Sequence, residues 1–411
     1  MSREQRTFVR AIAGLVIAHV AAACADVPTP GPYTTQRDSA GVIIVENIGP
    51  VPSDGGGWSI GLEPSLSIGA VEGDSSYQFF GISGAHRTLN GEIVVVNAGS
   101  RSVRVYDVQG VFLRTFGQRG SGPEEFEMPV LAGAVHDTLI IVDARHHRLT
   151  MVHPESGIAR VVRVADDVGG FLNPAGTFGT GEVVFGGAMD MGRTQIEQGL
   201  NRAHTFYRSC GPDGSLVTDF GHKMGADFYV KTLGTRGVES RPMLVPFGRV
   251  PLAAVSGERF FFGSGDAWEI EAHDVTGTLL RLIRYDRPPV PVTGEHVSEY
   301  VDDFVANFPT ENQARMRQLL AEIPVPETFP PYGGLAADLL GYLWVADYDP
   351  PGDVHSAWTI FDRDGAVSGR VMAPQGFSVL EIGGDYILGV YRDDMGVEYL
   401  RQYSLQRPEA P

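Results

Sequence analysis

Residues 91–117 read GEIVVVNAGSRSVRVYDVQGVFLRTFG. An apolar run is followed by a turn, a second run, the corner Asp107-Val108-Gln109-Gly110 and a third run ending in Gly117. Valine, isoleucine and phenylalanine fill the runs, and Gly, Asn and Asp bound them, which is the pattern of short strands joined by tight turns. The same grammar returns at 137–165, 181–221, 257–285 and 341–371, with corner glycines Gly110, Gly157, Gly214, Gly277 and Gly365. A small sheet repeated around a ring is a β-propeller.

Working outward, the first blade spans 80–117 and the second 129–164. The third is looser, with strands at 183–185, 205–209 and 216–220. The fourth has strands at 260–262, 268–272 and 279–284, and the fifth at 343–346, 358–361 and 366–371. The C-terminus offers only three strands for a sixth blade, at 378–382, 386–391 and 398–404. Leu66-Ser67-Ile68-Gly69 has the form of the blade-ending Thr115-Phe116-Gly117, so the N-terminal segment is predicted to supply the missing strand. Pairing the first and last segments leaves no open edge between the chain ends. The expectation is an all-β, six-bladed propeller over 41–411, with further strand or packing contacts from 43–46 and 58–60. Within it, 293–323 places Val297, Val301, Phe304 and Val305, then Met316, Leu319 and Leu320, at helical spacing. Asn307-Phe308-Pro309 splits that stretch, which predicts a short helical insertion before blade five, acting as a cap or as a lid.

The chain has 411 residues and a formal net charge of −18. Arg3, Arg6 and Arg10 against Glu4 give the first 23 residues +2, which leaves −20 for the rest. Such an acidic body repels phosphate backbones and argues against nucleic-acid binding. The basic start, the apolar run of 11–18 and the small residues before Cys24 read as an export signal over 1–23. Ala21-Ala22-Ala23-Cys24 resembles a lipobox, with Ala21 where Leu is usual, so Cys24 is the expected lipidation site. Residues 24–40, Pro-rich and polar, read as a flexible tether from a membrane surface. With Cys24 lipidated, Cys210 stands alone and reads as a packed thiol.

Blades one and two resemble the NHL-repeat type of six-bladed propeller, on residues 91–117, 137–151 and the phrase Arg119-Gly120-Ser121-Gly122-Pro123-Glu124-Glu125-Phe126. Pro330-Pro331-Tyr332-Gly333-Gly334, Leu343-Trp344-Val345 and Glu398-Tyr399-Leu400-Arg401-Gln402-Tyr403 look like the bacterial six-bladed propeller lipoproteins of unassigned activity. The resemblance covers about 65–405. It implies binding of proteins, peptides or glycans, the common role of NHL-like propellers. Neighbouring six-bladed families include lactone hydrolases with a divalent metal in the channel. A resemblance of folds fixes no activity.

Recurring residues serve the fold. Asn97, Asp143 and Asp347 all end the second strand of their blades and are expected to hold the following turn, and Asp107, Asp274 and Asp362 hold the corner. The long connections, 117–128, 186–204, 221–247, 286–330 and 347–357, all fall on one face, where a binding site is expected over the channel mouth. Its candidate residues are Arg119, Glu124, His146, His222, Arg241, Asp349, His355 and Arg392. No zinc signature or twelve-residue calcium loop is present, and Gly117–Gly122 opens no helix. A metal-dependent hydrolase or lactonase, using calcium or zinc in the central channel, would need converging inner-strand ligands. Those strands offer His86, Arg87, Asn173 and Glu381, read as a thin, non-converging set. The expectation is therefore a monomeric, membrane-anchored binding module of the bacterial cell envelope, with a protein, peptide or glycan partner and no catalytic residue, metal or cofactor.

Overall fold

A computed structural model of the chain describes residues 33–51, 55–169, 172–190, 193, 194, 196–231, 241–351 and 356–408, with the side chains of Ala188 and Arg241 outside that set. Its described residues form six antiparallel-built sheets in sequence order. Blade one comprises Ile82–Arg87, Ile93–Asn97, Ser102–Tyr106 and Phe112–Phe116. Blade two comprises Pro129–Val135, Thr138–Asp143, Arg148–His153 and Gly157–Arg163. Blade five comprises Gly334–Ala337, Leu343–Ala346, Ala357–Phe361 and Val367–Met372.

The first strand of each blade is innermost, and the inner strands of successive blades lie side by side from blade one to blade five. Leu339 N donates to Ile382 O across the join from five to six, and blade six packs on blade one. The ring is thus closed, and each interface between blades is a layer of apolar side chains such as Val94, Val96, Leu139 and Ile141 between blades one and two.

Corner glycines recur for two reasons. Gly110, Gly157, Gly214, Gly277 and Gly365 all have φ between +80° and +85°, which side-chain-bearing residues avoid. Each also abuts the outer strand of the preceding blade: a Cβ on Gly214 would lie 2.1 Å from Arg163 O, and one on Gly110 would lie 3.0 Å from Ile68. The corner Asp holds the turn as expected, with Asp107 Oδ1 accepting from the amides of Gln109 and Val111.

Blade six consists of Phe377–Ile382, Tyr386–Arg392 and Glu398–Gln406, and Leu66–Ile68 completes it by pairing with Glu398–Gln406. Ser59–Ile60 adds a second short pairing to the same strand. Two glutamates of blade six clamp the ends of blade one's inner strand: Glu398 accepts from Ile82 N at 2.8 Å and Glu381 from Arg87 N at 3.0 Å.

Blades three and four depart from the repeat. In blade three, Pro174–Thr177 and Val183–Met189 are followed by the long strands Gly199–Cys210 and Leu216–Lys231, with Arg241–Leu244 as a fifth. The connections expected at 186–204 and 221–247 are therefore largely strand. Their period was written in polar residues, since the inward positions of Gly199–Cys210 include Asn201, Thr205 and Ser209, all buried. Blade four has Leu252–Ser256, Arg259–Gly263, Glu269–His273 and Leu279–Asp286, and Val42–Ile48 joins its outer edge in parallel. Thr34–Ser39 pairs beyond that, so the tether expected over 24–40 ends earlier. This polar edge strand, exposed after its first residue, carries no apolar alternation to read. Residues 1–32, with Cys24, lie outside the described residues.

The insertion before blade five is helical as expected: α1, Gly294–Ala306, and α2, Thr310–Leu320. Thr293 caps α1, its hydroxyl accepting from His296 N while His296 Nδ1 accepts from Thr293 N. Val305 and Leu320 are buried with Val245 and Ile323, against Tyr229 and Met243 of blade three. The pair packs on the blade-three extension. Cys210 is a free, buried thiol, and burial pushes its pKa up to about 12.

Candidate functional site

The side chains singled out on the long-loop face are spread around the ring. Arg119 is largely exposed and pairs with Glu127 at 3.5 Å, and Glu124 is exposed beside it. Their connection is pinned from below, because Arg148 donates to the carbonyls of Ser121, Gly122 and Glu125. His146 Nδ1 is held by Asp143 at 2.7 Å, and His222 Nδ1 by Asp190 at 3.2 Å. Arg392 pairs with Glu398 at 2.7 Å, which commits it to the clamp on blade one. Asp349 accepts from the Ser356 hydroxyl. Arg241 has its backbone in the last strand of blade three, and His355 lies outside the described residues. Of their described side chains, those of Arg119, His146, His222, Arg392 and Asp349 are each engaged with a neighbour in their own part of the ring.

The inner-strand set does converge in part, contrary to the sequence reading. His86 and Glu381, 295 residues apart, meet at 2.5 Å, and Tyr386 donates to the other Glu381 oxygen at 2.6 Å. The Arg87 guanidinium covers the Tyr386 ring at 4.6 Å. Burial of His86 opposes its charge, but the hydrogen bond and charge of Glu381 outweigh it, so its pKa is raised. Asn173 stands apart, its amide donating to Gly186 O. Among the described residues, no group of three or more His, Cys, Asp or Glu side chains is placed to hold a metal ion.

The cleft lies elsewhere on the long-loop face. It has a volume of about 660 Å3, between the extended edge of blade three, the Gly265–Trp268 turn of blade four, the arms of the helical insertion and the end of the second strand of blade five. Six prolines line it: Pro288, Pro289, Pro324, Pro326, Pro330 and Pro331. They fix φ and remove six N–H donors from the wall. Val292 N donates to Glu327 O and Phe329 N to Val290 O, tying the two arms of the insertion together.

Aromatic packing supports this wall. Phe329 stacks on Tyr348 with centroids 5.0 Å apart and meets Phe247 edge-on at 5.1 Å. Phe247 in turn packs on Tyr300 of α1. Phe247 has φ +57°, a left-handed conformation rare for a bulky residue, held by these contacts.

Two charged groups border the cleft. In the first, Arg249 forks onto Asp227 and reaches Asp266, while Arg202 donates to Asp266 and the Ser264 carbonyl. Asp227 raises the Arg249 pKa. Burial works against ionisation of Asp266, but Ser264 and the guanidiniums of Arg202 and Arg249 hold its pKa below the usual value. Two carboxylates face two guanidiniums, and the set is neutral. In the second, the single carboxylate of Asp347 receives Arg287 on one oxygen and Arg370 on the other. A second hollow of about 540 Å3 shares Ala267, Trp268 and Arg287 with the cleft and continues outward to Glu46, Asn47 and Ile48 of the N-terminal segment.

Comparison with known proteins adds little to this geometry. No family model matches the chain, and no curated protein matches it. Among solved structures, a protein from Bacteroides fragilis described as exported has TM-score 0.47 at 9% identity, covering 89% of this chain and 100% of its own. A member of the DUF4221 family from Bacteroides vulgatus has TM-score 0.47 at 10% identity, with 86% and 100% covered. A gluconolactonase from Xanthomonas campestris has TM-score 0.38 at 14% identity, with 84% and 88% covered. At these values the likeness carries no argument, and the fold rests on the sheet topology above.

Sequence reading missed the cleft because it searched the long connections for charged residues. The readable signal was the density of proline at both ends of the helical insertion, Pro288-Pro289 and Pro324-Val325-Pro326 before Pro330-Pro331.

Proposed function

We propose that the chain is an exported binding module of a bacterial envelope, anchored through Cys24, which takes a protein, peptide or glycan segment into the proline-lined cleft. The cleft itself carries this reading. Its volume falls within the roughly 300–1,000 Å3 of small-ligand sites, and apolar walls with a few placed charges are what such sites contain. Six prolines fix φ along its walls, which lowers the ordering free energy lost on binding.

Strand direction relates the cleft to the anchor. Leu279–Asp286 ends at the long-loop face, Val42–Ile48 runs parallel to it and Thr34–Ser39 antiparallel. Tyr33 therefore sits at the face that holds the cleft, and a chain anchored through Cys24 would leave the propeller on the ligand side.

The other reading is a metal-dependent hydrolase or lactonase in the channel. It needs several converging ligands, and His86 and Glu381 are engaged with one another. The test uses the exposed cleft residue Val290. Peptide and glycan arrays probed with wild type and Val290→Trp should show binders that the substitution weakens at least about tenfold. Binders indifferent to the substitution would remove the cleft from consideration. A stoichiometric divalent ion in chelator-free protein, together with lactone hydrolysis, would replace the binding reading with the enzyme.

A further inference from the structure

The Arg287–Asp347–Arg370 group narrows the ligand of the proposed cleft. Asp347 occupies the place in its blade that Asn97 and Asp143 occupy in theirs. Asn97 accepts from Phe80 N, and Asp143 from Glu127 N and Met128 N. These donors belong to the connection entering the same blade. Strand register shows why blade five differs. Ile82 pairs with Asn97 and Pro129 with Asp143, so Phe80 and Glu127 lie two residues before the paired position. Gly334 pairs with Ala346, so the residue matching Phe80 and Glu127 in blade five is Pro331, which has no N–H. Among the described residues, Tyr332, at the place of Met128, makes no hydrogen bond to Asp347. The Asp347 carboxylate is free of that duty and holds two guanidiniums instead.

One carboxylate between two guanidiniums leaves a positive charge. Arg287 and Arg370 are 29% and 32% exposed, and each makes one hydrogen bond to Asp347 and no other among the described residues. A guanidinium has five N–H donors in a planar fork, so the bond to Asp347 uses only a small part of each one's capacity. Arg287 also stands where the inner cleft and the outer hollow meet. The outer hollow is acidic, with Glu46, Glu269 and Asp286 against Arg284 and Arg287. That surrounding field disfavours a multiply charged anion such as a phosphate ester and tolerates a single carboxylate. The inner cleft, with prolines, Phe247, Phe329 and Tyr348, suits an apolar or ring-bearing body.

We infer that the cleft binds a monocarboxylate with an apolar body, such as the free C-terminus of a peptide ending in a large apolar residue, with Arg287, which lines the cleft, receiving the carboxylate while Arg370 holds the other oxygen of Asp347. This rests on the binding reading given above, and the experiment separates the two. Two pools of N-acetyl dipeptides ending in Phe or Leu, one as free acids and one as C-terminal amides, are titrated against the protein by ligand-observed NMR. The free acids should bind at least about tenfold tighter than the amides, with the difference shrinking as salt is raised. Arg287→Gln should reduce that difference at least about fivefold, and Arg370→Gln, acting only through Asp347, should reduce it less. Val290→Trp should weaken both pools. Acids and amides bound equally, and both weakened by Val290→Trp, would overturn the carboxylate inference and leave the cleft as the site. No binding by either pool below about 1 mM would overturn the carboxylate inference, and the binding reading falls with it if the peptide and glycan arrays also give no binder sensitive to Val290→Trp.

Discussion

Asp143 in blade two and Asp347 in blade five stand at the same point of the repeat and have different partners. Asp143 is fully buried and gathers the amides of Glu127 and Met128 together with His146 and Arg148. Asp347 gathers only two half-exposed guanidiniums among its described side-chain partners. Strand geometry fixes where the carboxylate is, and the neighbouring connection fixes what it holds. A connection with amides turns the residue into scaffold. A connection with proline at the matching position releases it to a surface site.

The largest expected effect tests this contrast directly. Asp143→Ala leaves Arg148 without its carboxylate in a buried setting and should cost about 3–5 kcal/mol. Asp347→Ala removes a more exposed pairing and should cost about 1 kcal/mol or less. Denaturant melts of both variants give the comparison, and equal losses would break it. Asp143 also carries a pH signature. Burial disfavours its charge, but hydrogen bonds from His146, Met128 and Glu127 prevail and lower its pKa. Its stabilisation is present above the ordinary carboxylate pKa and is lost as pH falls through the depressed value, so Asp143→Asn should flatten the acid limb of stability.

A smaller effect compares two glycines of blade three. Gly214 and Gly221 have φ of +82° and +80°, but only Gly214 is crowded by the preceding blade. Gly221→Ala should cost about 1–2 kcal/mol from backbone conformation alone. Gly214→Ala should cost distinctly more, because its Cβ meets Arg163 O at 2.1 Å. Similar melting temperatures for the two variants would show that close approach between blades is not what keeps the corner glycine.

The smallest effect is a titration at the closing seam. His86 faces Glu381 and Asp137, with the Arg87 guanidinium and the Tyr386 ring beside them. Because its folded pKa is raised, the pair contributes stability below about pH 6.5, and this is lost as pH rises through the folded value. The NMR midpoint of His86 should lie above that of an exposed histidine and should drop in Glu381→Gln. An unchanged midpoint in the variant would show that Glu381 does not govern the imidazole.

Most of the ring was legible. The strands of blades one and two fall where apolar runs and turn residues place them, and Leu66–Ile68 closes blade six as its likeness to 115–117 suggested. The helical pair breaks at the proline that separates its two apolar stripes. The illegible parts have polar faces. Gly199–Cys210 buries Asn201, Thr205 and Ser209, and Thr34–Ser39 buries no side chain, so neither offers a hydrophobic period. Of the candidate site residues, His146 and Arg392 were found at their expected turns but bonded into the scaffold. Charge alone marked them, and charge does not distinguish a ligand contact from an internal pairing.

The sequence by itself determined the ring, its closing strand, its corner glycines and its helical insertion, because each is written in residues close together along the chain and repeated from blade to blade. The tertiary structure alone decided the cleft. Its walls come from residues near 200, 227, 245–249, 265–268, 287–290, 324–331 and 347, which no local pattern relates. It also decided the role of Asp347, which depends on an amide missing from Pro331 across a strand pair. Local grammar dictates backbone paths, whereas the chemistry of a side chain depends on what the folded chain brings within hydrogen-bonding reach.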